Sequence, residues 1–291
     1  MKICRFESDR VGLVQGDAVY DITQLAREVE RQRDPSLPGD PLIAQLEQLR
    51  SLIPADLDGL AKLDLGGINL LAPVARPGKI VAAPVNYQEH IQEMQENNVS
   101  PGHDIPEIGK AGLFLKAASS LVGPSQGIEI RFPERRTDHE LELALVIGKT
   151  ASEVEWEDAL SYVAGYCIGL DITLRGREDR SFRKSIDSYS VLGPWLTTSD
   201  ELPYPDALDL RLSVNGEERQ QALTNQLIFD VRKIIQFASS FYTLHPGDVI
   251  YTGTPKGVAP IASGDVIEAQ CPQLGLMRVR VRAHESAKAR S

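Results

Sequence analysis

Cysteine is scarce in this chain: Cys4, Cys167 and Cys271 are the only three, they lie far apart, and no C-x-x-C pair occurs. A disulfide scaffold and a structural zinc site are thereby excluded, and Cys167, inside an apolar run, reads as a core residue. An excess of positive charge is missing too, since 31 Lys and Arg face 41 Asp and Glu for a formal charge of -10. That balance argues against a nucleic-acid partner but not against an anionic substrate, because a local pocket can be positive in an acidic protein. No apolar run approaches membrane-spanning length, and the opening Met1-Lys2-Ile3-Cys4-Arg5-Phe6-Glu7 is charged too early for a signal peptide. A cytoplasmic location without a membrane partner is therefore expected. What remains is 42% hydrophobic and 25% charged over 291 residues, the composition of a soluble globular protein with one large domain or two.

The pattern along the chain is α+β and rich in β. Strands are expected at Lys2 to Phe6, Val11 to Val14 and Ala18 to Asp21, with Gly16-Asp17 as a hairpin turn. Helical patterns follow from Thr23 to Arg33 and from about Leu42 to Ser51, separated by Asp34-Pro35, Pro38-Gly39 and Asp40-Pro41. A Pro/Gly junction ending at Pro77-Gly78 marks the domain boundary, giving a small leading domain over 1–76 and a second over 77–283. In the second, strands are expected at Lys79 to Ala83, Leu113 to Lys116, Ile128 to Arg131, Glu140 to Ile147 and Val163 to Asp171. Later ones are expected at Leu210 to Val214, before an Asn215-Gly216 turn, and at Met277 to Val281. Helices are expected at Tyr87 to Met94, Trp156 to Val163 and Asp230 to Thr243, a polar flap over Asn97 to Gly109, and a disordered tail over 284–291.

One stretch carries a chemical signal of its own. Residues i and i+2 of a strand share a face, so Glu140 and Glu142 project side by side while Leu141, Leu143, Leu145 and Ile147 take the other face. The carboxylate face continues into Ala144 and Val146, which gives it a buried character. Two buried carboxylates repel and lose hydration unless protons or a cation compensate, and a hard divalent ion such as Mg²⁺, Mn²⁺ or Ca²⁺ removes the conflict. Taken alone, the pair also reads as the exposed end of an edge strand. Asp171 closes a second apolar strand, His90 and Glu93 are helical neighbours at i, i+3, and Thr252-Gly253-Thr254-Pro255-Lys256-Gly257 can offer backbone N–H and hydroxyl groups to an anion. Between Arg175 and Ser185 runs a polar segment with five cations, Arg175, Arg177, Arg180, Arg183 and Lys184.

Four separated pieces, Asn86-Tyr87 with His90 and Glu93, His139-Glu140-Leu141-Glu142-Leu143, Gly169-Leu170-Asp171 with Arg175, and Thr252-Gly253-Thr254-Pro255-Lys256-Gly257-Val258, resemble in order and spacing the fumarylacetoacetate hydrolase family. The resemblance spans residues 77 to 282 and implies a mixed β-sandwich roll behind a small N-terminal α/β domain. It implies Mg²⁺ or Mn²⁺ on Glu140, Glu142 and Asp171, and water activated by His90 and Glu93. It further maps the family's active-site lysine to Lys184, gives Tyr87, Arg175 and Thr254 to substrate binding, and makes a homodimer the expected assembly. No counterpart of the upstream aspartate ligand of the larger members occurs, so water is expected there. Where many acylpyruvases carry Gly-Arg-Asn-Tyr before the helix, this chain has Pro84-Val85-Asn86-Tyr87. The activity implied is metal-dependent C–C bond hydrolysis of a β-diketo or 2-oxo acid. Decarboxylation of a 2-oxo acid, isomerisation of a 2-hydroxymuconate, and a non-catalytic metal-binding role stand beside it.

Overall fold

The computed structural model describes residues 1–96 and 108–284. Its centre is a large mixed sheet in which the strand Leu141–Ile147 lies between Val163–Asp171 and Val249–Tyr251, both antiparallel to it. Beyond Val163–Asp171 come Ser190–Thr198 and then Lys2–Phe6, Arg10–Gln15 and Ala18–Asp21; beyond Val249–Tyr251 come Ile80–Ala82 and Phe114–Lys116. A second sheet contains, in order, Glu217–Leu223, Asp209–Val214, Val266–Cys271, Gly275–Ala283 and Ile128–Ile130.

Period-two alternation explains how these layers stack. Leu141, Leu143, Leu145 and Ile147 face a core shared with Leu210, Leu212, Ile267 and Val279 of the second sheet and with Ile234, Ile235 and Ala238 of the helix Val231–Phe241. That helix is capped by Asp230, whose carboxylate accepts from the Lys233 N–H at 2.7 Å. Ala144, Val146, Cys167 and Tyr251 face the other core, which Ala26, Val29, Leu46 and Leu49 of the leading helices Thr23–Gln32 and Leu46–Leu52 complete. A sheet covered on both faces is what the near-continuous apolar runs of its central strands require. The result is a β-rich mixed architecture, as the sequence pattern indicates.

Several details differ from expectation. Trp156–Tyr162, expected to be helical, is a 3₁₀ helix with no side-chain cap. The segment between the leading helices and Gly78 contains short strands at Lys62–Asp64 and Leu70–Leu71, the first extending the hairpin sheet. Ser190–Thr198, a fully buried strand, is hidden in the sequence by its central Gly193-Pro194. Its neighbour shifts register between Tyr166 and Ile168, and a bulge of that kind is where a strand proline can sit. Most of the expected flap, residues 97–107, and the tail 285–291 lie outside the described residues.

Candidate metal centre

Cross-strand pairing builds the centre. Leu141 pairs with Leu170 and Glu142 with Gly169, and the Asp171 N–H donates to the Glu140 carbonyl at 2.9 Å, so the carboxylates of Glu140, Glu142 and Asp171 meet at one end of two adjacent strands. Gly169 is needed opposite Glu142, because a Cβ there would stand 2.6 Å from the Tyr251 ring. One oxygen from each of the three carboxylates lies within 4.8 Å of the others, and all three side chains are buried.

Charges around the triad are uneven. Lys184 Nζ donates to Glu140 Oε2 at 2.6 Å and to Asp171 Oδ2 at 2.7 Å. Lys116, fully buried, donates to Asp171 Oδ1 and, at 2.8 Å, to the Tyr189 carbonyl. Arg175 bonds Asp138 Oδ2 through Nε at 2.6 Å and Glu140 Oε1 through Nη2 at 3.1 Å, so its guanidinium backs a triad carboxylate. Burial works to raise the Glu140 carboxyl, but Lys184 and Arg175 outweigh it and hold the group well below the usual range. Glu142 goes the other way: burial first, then the charge of Asp171, pushes its carboxyl well above the ordinary value despite the Gly253 N–H bonded to Oε2 at 2.5 Å. Burial beside other carboxylates thus disfavours the charged form of Glu142, a conflict that added positive charge would relieve. Three hard oxygen donors in that conflict fit a divalent cation.

The helix Gln88–Glu96 covers one side. Asn86 anchors its start, donating to the Thr252 and Phe229 carbonyls at 2.8 and 2.9 Å and accepting from the Phe229 N–H at 2.7 Å. His90 Nδ1 lies 3.1 Å from Glu93 Oε2, and Glu93 Oε1 accepts from the Gly257 N–H at 2.8 Å. A carboxylate only accepts, so Nδ1 carries the proton and Nε2 the lone pair. Lys256 reaches Glu89 at 2.9 Å, a further tie between helix and loop. Tyr87 is buried, its hydroxyl has no partner among the described residues, and burial next to Glu142 raises its pKa.

Two contributors carry no sequence signal strong enough to find them. Lys116 ends an apolar strand and reads as its solvated tip; the available clue is that Phe114 and Lys116 share a face, and Phe114 lies under Lys184 with Nζ 5.4 Å from the ring centre. Gln220 sits in an otherwise polar strand. Its Oε1 accepts from the Leu141 N–H at 2.9 Å and faces His139 Nδ1 at 3.0 Å, while Nε2 donates to Thr254 Oγ1 at 2.8 Å and to the Pro255 carbonyl at 3.0 Å. Backbone donor and backbone acceptor fix the amide orientation, so Thr254 Oγ1 accepts from Gln220 and its own proton is free to donate.

The signature of the fumarylacetoacetate (FAA) hydrolase C-terminal family matches residues 79–282. The chain belongs to the fumarylacetoacetate hydrolase family. A family relative, a maleylpyruvate hydrolase of Aquipseudomonas alcaligenes, is 50% identical over 287 residues, covering 97% of this chain and 100% of its own. The crystal structure of maleylpyruvate hydrolase from Sphingobium sp. SYK-6 in complex with manganese (II) ion and pyruvate superposes with a TM-score of 0.82 at 39% identity, over 98% of this chain and 100% of that one. The family fold extends to a 5-carboxymethyl-2-hydroxymuconate delta-isomerase from Mycobacterium smegmatis, with a TM-score of 0.72 at 26% identity over 98% and 100% of the two chains. Among the described residues no helix is long and apolar enough to cross a membrane.

Proposed function

We propose that this protein is a divalent-metal-dependent hydrolase that cleaves the C–C bond of an acylpyruvate, with maleylpyruvate the substrate suggested by its similar relatives. The observation that carries the reading is the meeting of three buried carboxylates, within 4.8 Å of one another, in a site where burial and the charge of Asp171 push the Glu142 carboxyl up. Glu140, Glu142 and Asp171 would hold Mg²⁺ or Mn²⁺. When bound, such an ion supplies Lewis-acid chemistry, drawing negative charge toward the 2-oxo acid end of the substrate.

The chain's own groups supply the rest. Lys184 and the free proton of Thr254 offer donors to the oxygens of that end, and the unpartnered Tyr87 hydroxyl offers another. His90, its tautomer fixed by Glu93, accepts a proton from water at Nε2. The resulting hydroxide attacks the carbonyl beyond the methylene. The C–C bond then breaks, its electron pair passing to the pyruvate methylene carbon, and the proton on His90 completes the methyl group. Water thus ends as one oxygen of the new carboxyl group, one hydrogen of pyruvate, and the proton that carboxyl group releases to solvent on ionising.

A second reading, isomerisation of an unsaturated 2-oxo dicarboxylate, is favoured by the likeness to the delta-isomerase and by Pro84-Val85 where many acylpyruvases have Gly-Arg. Turnover in ¹⁸O-water separates them: hydrolysis puts one ¹⁸O into the released acid and yields pyruvate, whereas turnover without label in the product would overturn the hydrolase reading. A cytoplasmic homodimer belongs to the same reading, and light scattering at about twice the 32.0 kDa chain mass is the expected result for the assembly.

A further inference from the structure

A buried guanidinium without an anion stands beside the triad. Arg183 lies in the short helix Arg180–Lys184, next to the lysine that bridges Glu140 and Asp171, and is only 8% exposed. Among the described residues its one side-chain hydrogen bond is a long contact from Nη1 to the Leu174 carbonyl at 3.4 Å, and Nε is buried with no partner. It forms no ion pair among the described residues. The carboxylates whose charge it feels are already engaged, Glu140 by Arg175 and Lys184, Asp171 by Lys116 and Lys184, and Glu178 by Arg135. Arg180, one turn earlier on the same side of the helix, also makes no ion pair among the described residues. Both guanidinium groups are disfavoured first by burial, and Glu140 is among the charges that offset this in each case.

Removing a guanidinium from water without a paired counter-charge is strongly unfavourable, so a side chain kept this way has a missing partner. Its fork of donors matches a carboxylate in two parallel hydrogen bonds. Arg175 cannot serve in that way, because two protein carboxylates already hold it. On the reading given above, the cation site, Lys184 and Thr254 take the 2-oxo acid end of the substrate. We propose that Arg183 is the residue that binds the remote carboxylate of a dicarboxylic acylpyruvate and selects for it, with Arg180 adding positive potential at the approach. The inference rests on the hydrolase reading for the identity of the first end, but the guanidinium's need for a carboxylate does not.

Two measurements on the Mn²⁺-loaded protein decide it. In calorimetry, wild type, Arg183→Met and Arg183→Lys are titrated separately with maleate and with pyruvate. The maleate-to-pyruvate affinity ratio is expected to fall at least about 30-fold in Arg183→Met and by a smaller factor, about fivefold or more, in Arg183→Lys, which keeps the charge but not the fork. In kinetics, the kcat/KM ratio of maleylpyruvate to acetylpyruvate, which lacks the remote carboxylate, is expected to fall by a similar factor, mainly through KM. Affinity ratios within threefold of wild type in both variants would overturn the proposal, as would equal weakening of maleate and pyruvate, which would assign Arg183 to the shared end or to folding. Failure of wild type to release pyruvate from either substrate would sink the hydrolase reading, while the calorimetric ratio would still decide the role of Arg183.

Discussion

Lys184 Nζ lies 2.6 Å from Glu140 Oε2, so one of the three carboxylates that meet at the end of the central strands is held by a protein cation as well as being a candidate ligand. The same ammonium reaches Asp171 Oδ2 at 2.7 Å. A lysine so placed both favours the ionised form of Glu140 and opposes a second cation between the carboxylates, and these two effects predict different consequences of its removal.

Lys184→Met is expected to tighten Mn²⁺ binding by roughly fivefold, since the like charge it removes is worth on the order of 1 kcal/mol or more at this range. The same change is expected to lower kcat by about 10² or more through loss of a donor to the substrate's developing negative charge. Calorimetric titration of Mn²⁺ beside steady-state kinetics checks both. Weaker metal binding with unchanged kcat would remove Lys184 from this role.

Lys116 is a different case, because its ammonium donates to Asp171 and the Tyr189 carbonyl, lies 5.8 Å from the centre of the Tyr251 ring, and belongs to a side chain with no exposed surface. Replacing it by the similarly shaped Met leaves Asp171 with one cation fewer, and breaking a buried pair costs about 3 kcal/mol. The urea midpoint of Lys116→Met should fall accordingly, and the Mn²⁺ affinity should change because the orientation of Asp171 is no longer fixed. An unaltered midpoint would mean that the pair contributes nothing net.

Glu93 makes the covering helix sensitive to acid. Burial acts to raise its carboxyl, but the His90 hydrogen bond and the Gly257 N–H outweigh it and leave the group below its ordinary 4.5. A carboxylate depressed in the folded state contributes stability that is fully present above its unfolded pKa and is lost as pH falls through the folded value. Exchange protection of the Gly257 amide should therefore hold above about pH 5 and drop on acidification below the ordinary carboxylate range. In Glu93→Gln that acid limb should be absent. A Gly257 amide equally protected at pH 3 would contradict the tie.

The cysteines should be silent. All three are free and buried, and burial pushes the Cys4 thiol up to about 12 and the other two above their ordinary value. A thiol reagent at pH 8 should label none of them in the folded protein and all three in denaturant; rapid labelling of the native chain would show the cores around them to be loosely packed.

Much of this was readable from spacing alone. Glu140 and Glu142 share a face because strands alternate, and their continuation into Ala144 and Val146 correctly signalled burial, since those two side chains lie in the core beneath the leading helices. Asp171 was legible as a charge ending an apolar run, and the i, i+3 spacing of His90 and Glu93 foretold a contact that the structure has at 3.1 Å. Cross-strand register is where the sequence is silent: nothing in the order of residues says that Asp171 stands opposite Glu140, or that Gln220 comes from another sheet to fix Thr254. Ser190–Thr198 was hidden because Gly193-Pro194 has the composition of a turn, and only the adjoining bulge lets it lie within a sheet. Lys116 was hidden by the prior that lysines seek water, which a buried aspartate partner overrides.

The most direct test of the central claim is metal dependence of the reaction. Protein treated with a chelator and dialysed should release no pyruvate from maleylpyruvate, should regain activity on titration with Mn²⁺ or Mg²⁺ to one ion per chain, and should not regain it in Glu142→Gln. Full turnover after chelation, or rescue of Glu142→Gln at the stoichiometry that restores wild type, would contradict the account.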